Sequence, residues 1–142
     1  MHVSDIMSRN VKIAAPDDSL EKAAKLMAKL DIGVLPVGEN DRLVGMITDR
    51  DIAIRGVASG KSPKEMKVSA VMTPDIKFVY DDESVEDVSR NMSKLQVRRL
   101  PVLSREKRLV GIVSLGDLAI KQDGKQAEHA LKDISQPIHT HH

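Results

Sequence analysis

Cysteine and tryptophan are absent from the 142 residues, and Phe78 and Tyr80 are the only aromatic side chains. No disulfide, thiol nucleophile or cysteine-ligated zinc is therefore available, and no aromatic platform exists for stacking bases. An excess of either charge is missing too. With 22 Lys and Arg against 21 Asp and Glu, the formal net charge is +1, which gives no global field to hold nucleic acid. No apolar run approaches the roughly 18 residues of a membrane-spanning helix, and "MHVSDIMSRN" lacks the basic and apolar segments of a secretory signal. A cytoplasmic protein that binds neither nucleic acid nor membrane is expected.

What the chain does have is a repeat. Residues 3–37 align with 68–102, sharing Val-Ser, a lead-in methionine, Asp, Ser, Glu and "LPV", and residues 42–54 align with 108–120, sharing "RLVG" and a later aspartate. The offset changes by one residue where "GEND" (Gly38 to Asp41) becomes "LSREK" (Leu103 to Lys107), and a length change of that kind marks a surface turn. Residues 1–60 form the first copy, 61–67 a basic connector, 68–124 the second copy, and 125–142 a short helix and loose tail.

Each copy switches period as a mixed unit does. "VKIAA" (Val11 to Ala15) and "IKFVY" (Ile76 to Tyr80) are β-leaning, and Ser19 and Ser84 stand where an N-cap belongs. The following helices put Leu20, Ala23, Ala24, Met27 and Leu30 on one stripe, and Val85, Val88, Met92 and Leu95 on the other. Two further strands joined by a polar turn follow, "GVLPV" with "RLVGMIT" and "RRLPV" with "RLVGIVS". A last helix runs from about Asp49 to Ala58 and from about Leu115 to Gln122. The expected class is α+β, with strand, helix, strand, strand, helix in each unit, and two such units needed to bury a core.

The repeated phrase Gly-x-x-Thr/Ser-x-x-Asp carries the chemistry. Thr48 with Asp51, and Ser114 with Asp117, fit a capping box, in which the hydroxyl accepts from the first helical turn and the acid occupies its third position. The same geometry suits a nucleotide, because unpaired N–H groups and the hydroxyl can meet a phosphate while a carboxylate accepts the two hydroxyls of a ribose. Gly45 and Gly111, three residues earlier, would leave room for sugar or base. From residues alone, simple capping and ligand binding both stand.

These features resemble tandem CBS domains, the pair called a Bateman module, over nearly the whole chain from Val3 to about Gln122. The lead-ins "VSDIM" and "VSAVM", both "LPV" strands and both Gly-x-x-Thr/Ser-x-x-Asp phrases carry the resemblance. It implies two units related by a pseudo-twofold axis with sheets packed face to face, two clefts that take adenosine-containing nucleotides, and a homodimer. By that resemblance Asp51 and Asp117 take ribose hydroxyls and Thr48 and Ser114 approach the phosphate or sugar. Arg98 and Arg99, before the second "LP", would reach phosphate; strand alternation allows only one of them into a given cleft. The first copy has Gly33 and Val34 there, and offers Arg50 beside its helix start instead, so unequal affinities are expected. The base pockets would be aliphatic, drawing on Met7, Val11, Ile32 and Val34 in the first copy and Met72, Ile76 and Val97 in the second.

No Ser/His/Asp order, catalytic carboxylate pair or phosphate loop stands out, so no enzyme is expected. His139, His141 and His142 form a terminal cluster that reads as a loose tail, with His2 and His129 isolated. The sequence thus points to a regulatory, energy-sensing module with an adenine nucleotide (AMP, ADP or ATP) as ligand, no other cofactor and an unidentified effector protein as partner. A dimeric scaffold with vestigial clefts, or weak metal binding by the histidine tail, are the competing functions.

Overall fold

Serine caps start both long helices. In the computed structural model, which describes residues 1–74 and 76–121, Ser19 Oγ accepts from the Lys22 N–H at 3.1 Å and Ser84 Oγ from the Asp87 N–H at 3.0 Å. Each cap contributes about 1 kcal/mol. The helices α1 (Leu20–Leu30) and α3 (Val85–Leu95) both end on a non-glycine residue in the left-handed region, Asp31 at φ 55° and Gln96 at φ 58°. The next amide, Ile32 or Val97, reaches back to the carbonyl of Met27 or Met92, closing a Schellman turn.

Those turns deliver the chain to two hairpins. β1 (Val34–Glu39) pairs antiparallel with β2 (Arg42–Thr48), and β4 (Arg99–Leu103) with β5 (Leu109–Ser114). Asn40 and Asp41, both at positive φ, make the tight turn of the first hairpin. The longer second turn is closed by the Lys107 N–H on the Ser104 carbonyl and the Ser104 N–H on that of Arg108. Each hairpin feeds a helical stretch. After Thr48 it is α-helical over Asp49–Asp51 (α2), π-helical over Ile52–Gly56 and 3₁₀ over Val57–Ser59, whereas α4 (Leu115–Lys121) is regular.

The chain divides into two compact units, and the division is not the linear one. Residues Lys12–Ile76 form one; Met1–Val11 joins the described residues from Lys77 onward in the other. Each repeat is thus completed by the lead-in of its sister. Val3, Ile6 and Met7 are buried with Val85, Val88, Leu100 and Val113, while Val68 and Val71 are buried with Leu20, Leu35 and Ile47. Backbone pairing fixes the arrangement: Ser8 exchanges both hydrogen bonds with Ile112 (2.8 and 2.9 Å), and Thr73 does so with Met46 (2.8 and 2.9 Å). Met7 and Val11, expected beside the first copy's strands, therefore belong to the second-repeat unit, and Met72 and Ile76 to the first-repeat unit. Local sequence cannot decide this, because both lead-ins have the same pattern and either hairpin edge could accept either one.

Three smaller expectations change. Val11–Ala15 forms no strand: only Ala14 bridges, parallel to Val37, before Pro16 withdraws a backbone donor. In the second repeat only β3 (Val79–Tyr80) pairs, parallel to β4. Leu95 is 41% exposed, because the buried stripe of α3 turns through Ser89 and Ser93 instead. The two aromatics meet edge to face at 5.3 Å, and the Arg105 guanidinium lies 4.1 Å above the Tyr80 ring. Arg105 also grips Asp82 through two hydrogen bonds of 2.9 and 2.8 Å, which hold that carboxyl below its ordinary range. Both groups are exposed, so this surface pair adds little stability. Among the described residues no helix is long and apolar enough to cross a membrane. The expected helix near residues 126–132 and the histidines at 129, 139, 141 and 142 lie outside the described residues.

Candidate functional site

The repeated phrase closes two strand-to-helix corners of the same construction. Thr48 ends β2 opposite Val34, and the Asp49 N–H donates to the Gly33 carbonyl at 2.9 Å. Ser114 ends β5 opposite Arg99, and the Leu115 N–H donates to the Arg98 carbonyl at 3.0 Å. The capping box forms at both. Thr48 Oγ1 accepts from the Asp51 N–H and Asp51 Oδ2 from the Thr48 N–H, each at 3.0 Å. Ser114 Oγ accepts from the Asp117 N–H at 3.1 Å, and Asp117 Oδ2 from the Ser114 N–H at 2.9 Å.

Capping is therefore real, yet it uses only one oxygen of each carboxylate. Oδ1 of Asp51 and of Asp117 accepts no hydrogen bond among the described residues, and all four side chains are half-buried. Such an oxygen, its carboxylate already oriented by a backbone amide, is a strong acceptor for hydroxyl donors.

The glycines do something other than leave space for a ligand. A Cβ on Gly111 would fall 2.5 Å from Met7 Sδ and 2.9 Å from the Ser8 carbonyl oxygen; on Gly45 it would meet Met72 Sδ at 2.8 Å and the Thr73 carbonyl oxygen at 3.1 Å. The room is filled by the sister repeat's lead-in, and glycine is required for that close backbone approach. We expect Gly111→Ala to cost about 1–3 kcal/mol through overpacking, and Gly45→Ala to cost less because its backbone contact is longer. Paired denaturant titrations check this; equal or inverted costs would contradict it.

The corners differ in charge. Arg99 shares a sheet face with Ser114, since residues directly opposite in an antiparallel pair project to the same side. Arg98 precedes β4 and contributes its carbonyl to the corner, and both arginines are exposed. At the first-repeat corner Val34 stands where Arg99 does, Arg50 is exposed one residue before Asp51, and Asp49 occupies the place of Leu115. Gly33 and Asp49 go together: a Cβ on residue 33 would lie 2.8 Å from Asp49 Oδ2. Sequence reading missed this coupling, although the paired change from Gly33 and Asp49 to Arg98 and Leu115 was visible in the alignment of repeats.

Of the aliphatic candidates, Ile32 and Met72 pack partly buried on the first-repeat core and Val97 on the second-repeat core, while Met7 is fully part of the latter. Val11, Val34 and Ile76 are half-buried. The first-repeat corner thus shares its unit with Ile32, Val34, Met72 and Ile76, and the second-repeat corner with Met7, Val11 and Val97. Among the described residues no group of three His, Asp or Glu is placed to hold a metal ion.

Comparison with known proteins matches this architecture. A CBS domain model fits residues 3–56 and again 68–123. Hypoxic response protein 1 of Mycobacterium tuberculosis is 42% identical over 135 residues, covering 94% of each chain. The solved structure of Hypoxic Response Protein I with two coordinated zinc ions aligns at TM-score 0.75 and 38% identity, over 86% of this chain and 99% of that one. CBSX2 of Arabidopsis thaliana, solved in complex with AMP, aligns at TM-score 0.70 and 30% identity, over 85% and 98%. The CBS domain pair of protein MJ0100, in complex with 5-methylthioadenosine and S-adenosyl-L-methionine, aligns at 0.67 and 34%, over 84% and 94%.

Proposed function

The chain belongs to the CBS-domain family, and we propose that it is a regulatory module whose strand-to-helix corners take an adenosine-containing nucleotide, AMP, ADP or ATP, and pass occupancy to an effector protein. One observation carries this: among the described residues Asp51 and Asp117 each keep an oxygen unused after capping. That oxygen can accept a ribose hydroxyl. The AMP complex of CBSX2 and the nucleoside complexes of MJ0100 support the ligand class.

In this proposal Thr48 and Ser114 turn their hydroxyls to sugar or phosphate, and the phosphate partner differs between corners. Arg99, on the Ser114 face, serves the second-repeat corner; Arg50 serves the first. The purine would lie against Ile32 and Met72 in one unit and Val97 and Met7 in the other, read by backbone groups. The module performs no chemistry of its own. A ligand shifts its shape only by binding two arrangements unequally. Ile54 and Val57, 56% and 57% exposed on the helical stretch after Asp51, offer apolar surface that a homodimer would cover.

Calorimetric titration of the full chain with AMP, ADP, ATP, NAD and S-adenosylmethionine tests the proposal. Binding of at least one adenine nucleotide, with unequal affinity where two sites fill, is expected. Silence from all five would favour a dimeric scaffold in which both carboxylates serve only as caps.

A further inference from the structure

The first-repeat unit carries a groove beside its long helix. It holds about 300 Å³ between α1 and the segment before it, with Ile13, Ala14, Ala23 and Leu26 as its apolar wall. Lys22, Lys25 and Lys29 line it from α1, with Asp18 at the helix start. Ala14 and Ala23 open the space: they are buried, and the equivalent second-repeat residues are the bulkier Val79 and Val88. Leu26 supplies apolar wall where the other helix has Asn91. Ile13 stays 40% exposed at the edge.

The charges select an occupant. Lys22 is paired with Asp18 and Lys25 with Glu21 as i,i+4 pairs in which the lysine ends are exposed, so a partner's carboxylate can compete for them at little cost. Lys29 has no ion-pair partner among the described residues. Lys25 and Lys29 are one turn apart, about 6 Å along the axis, the spacing of carboxylates at i and i+4 on another helix. On α3 the residue corresponding to Lys25, Arg90, is held by Glu86 and Asp87, and Asp87 stands where α1 has Lys22.

We propose that this groove docks a partner protein through an acidic segment, one apolar side chain entering between Ile13 and Leu26 while flanking carboxylates meet Lys25 and Lys29. The site is built from the first repeat alone, and its occupancy does not depend on whether the strand-to-helix corners take a nucleotide.

Selection from a phage-displayed random peptide library against the full chain, without nucleotide, tests it. The expected winners carry an apolar residue flanked by Asp or Glu, and shift the backbone amide signals of Ala14, Ala23, Leu26 and Lys29 in nitrogen-15 correlation spectra. Lys25→Glu with Lys29→Glu, both exposed and foldable, weakens such peptides about tenfold or more; Leu26→Asn, the residue of the sister helix, weakens them without that charge change. Winners that are basic or neutral, amide shifts confined to other surfaces, or unchanged affinity in both variants would overturn the proposal. It would also fall if these substitutions dissociated a dimer in sedimentation, which would make the occupant a second copy.

Discussion

A chain lacking Met1–Ser8 loses the cooperative fold of its second-repeat unit. Val3, Ile6 and Met7 are 0%, 5% and 9% exposed in that unit's core, and burial of such side chains is worth about 1.5–3 kcal/mol each. Their removal, about 5–9 kcal/mol, approaches the whole stability of a small domain. Deletion also strips the Ser8 to Ile112 bridge from β5 and the Val85 N–H to Met1 carbonyl bond from the start of α3. The milder Val3→Ala in the full chain locates the effect. Amide exchange followed by mass spectrometry should quicken in α3, β4 and β5 and stay unchanged in α1, β1 and β2; Val68→Ala should give the reverse. Acceleration in the linearly adjacent repeat would contradict the exchanged lead-ins.

The second large effect falls on ligand binding. A nucleotide present at about a hundred times its dissociation constant stabilises by about 2.7 kcal/mol, which raises the melting temperature by about 5–10 °C in a chain of this size. Alanine at Asp51 or Asp117 removes the ligand contribution at one corner and also the cap, worth about 1 kcal/mol, so it mixes two effects. Asparagine separates them. Its carbonyl can still accept the Thr48 or Ser114 N–H, keeping the capping box, while the anionic acceptor for the sugar is gone. Asp51→Asn and Asp117→Asn should therefore melt close to the parent without ligand and each lose the nucleotide-dependent rise at its own corner.

Much of this is legible in the sequence. Ser19, Ser84 and the acids after Thr48 and Ser114 declare helix starts because capping is a contact within one turn. The hairpins show for the same reason, through "LPV" and "RLVG" flanking polar turns. What stayed hidden depends on contacts distant in sequence or on rarely used backbone. Two equal lead-ins give no local cue about which sheet edge each joins, so sequence order groups Met7 and Met72 with their own copies and not with the units they pack in. That assignment also hid why Gly45 and Gly111 are glycine. Asp31 and Gln96 adopt the left-handed region with no glycine to announce it, and the π segment Ile52–Gly56 has no composition signal that separates it from an ordinary turn of helix. The corner residues themselves were found because one short phrase, repeated in register, carries hydroxyl and acid together.

The most direct test edits the ligand. Calorimetry of the parent chain and of Asp51→Asn and Asp117→Asn should be run with AMP and with its 2′-deoxy counterpart. If the carboxylates hold the ribose diol, the parent prefers AMP by about tenfold or more, as expected for a lost hydrogen bond to a charged group, and each asparagine variant loses that preference at its own corner. Equal affinity of the parent for the two compounds, or a preference that survives when Asp51→Asn and Asp117→Asn are combined in one chain, would contradict it.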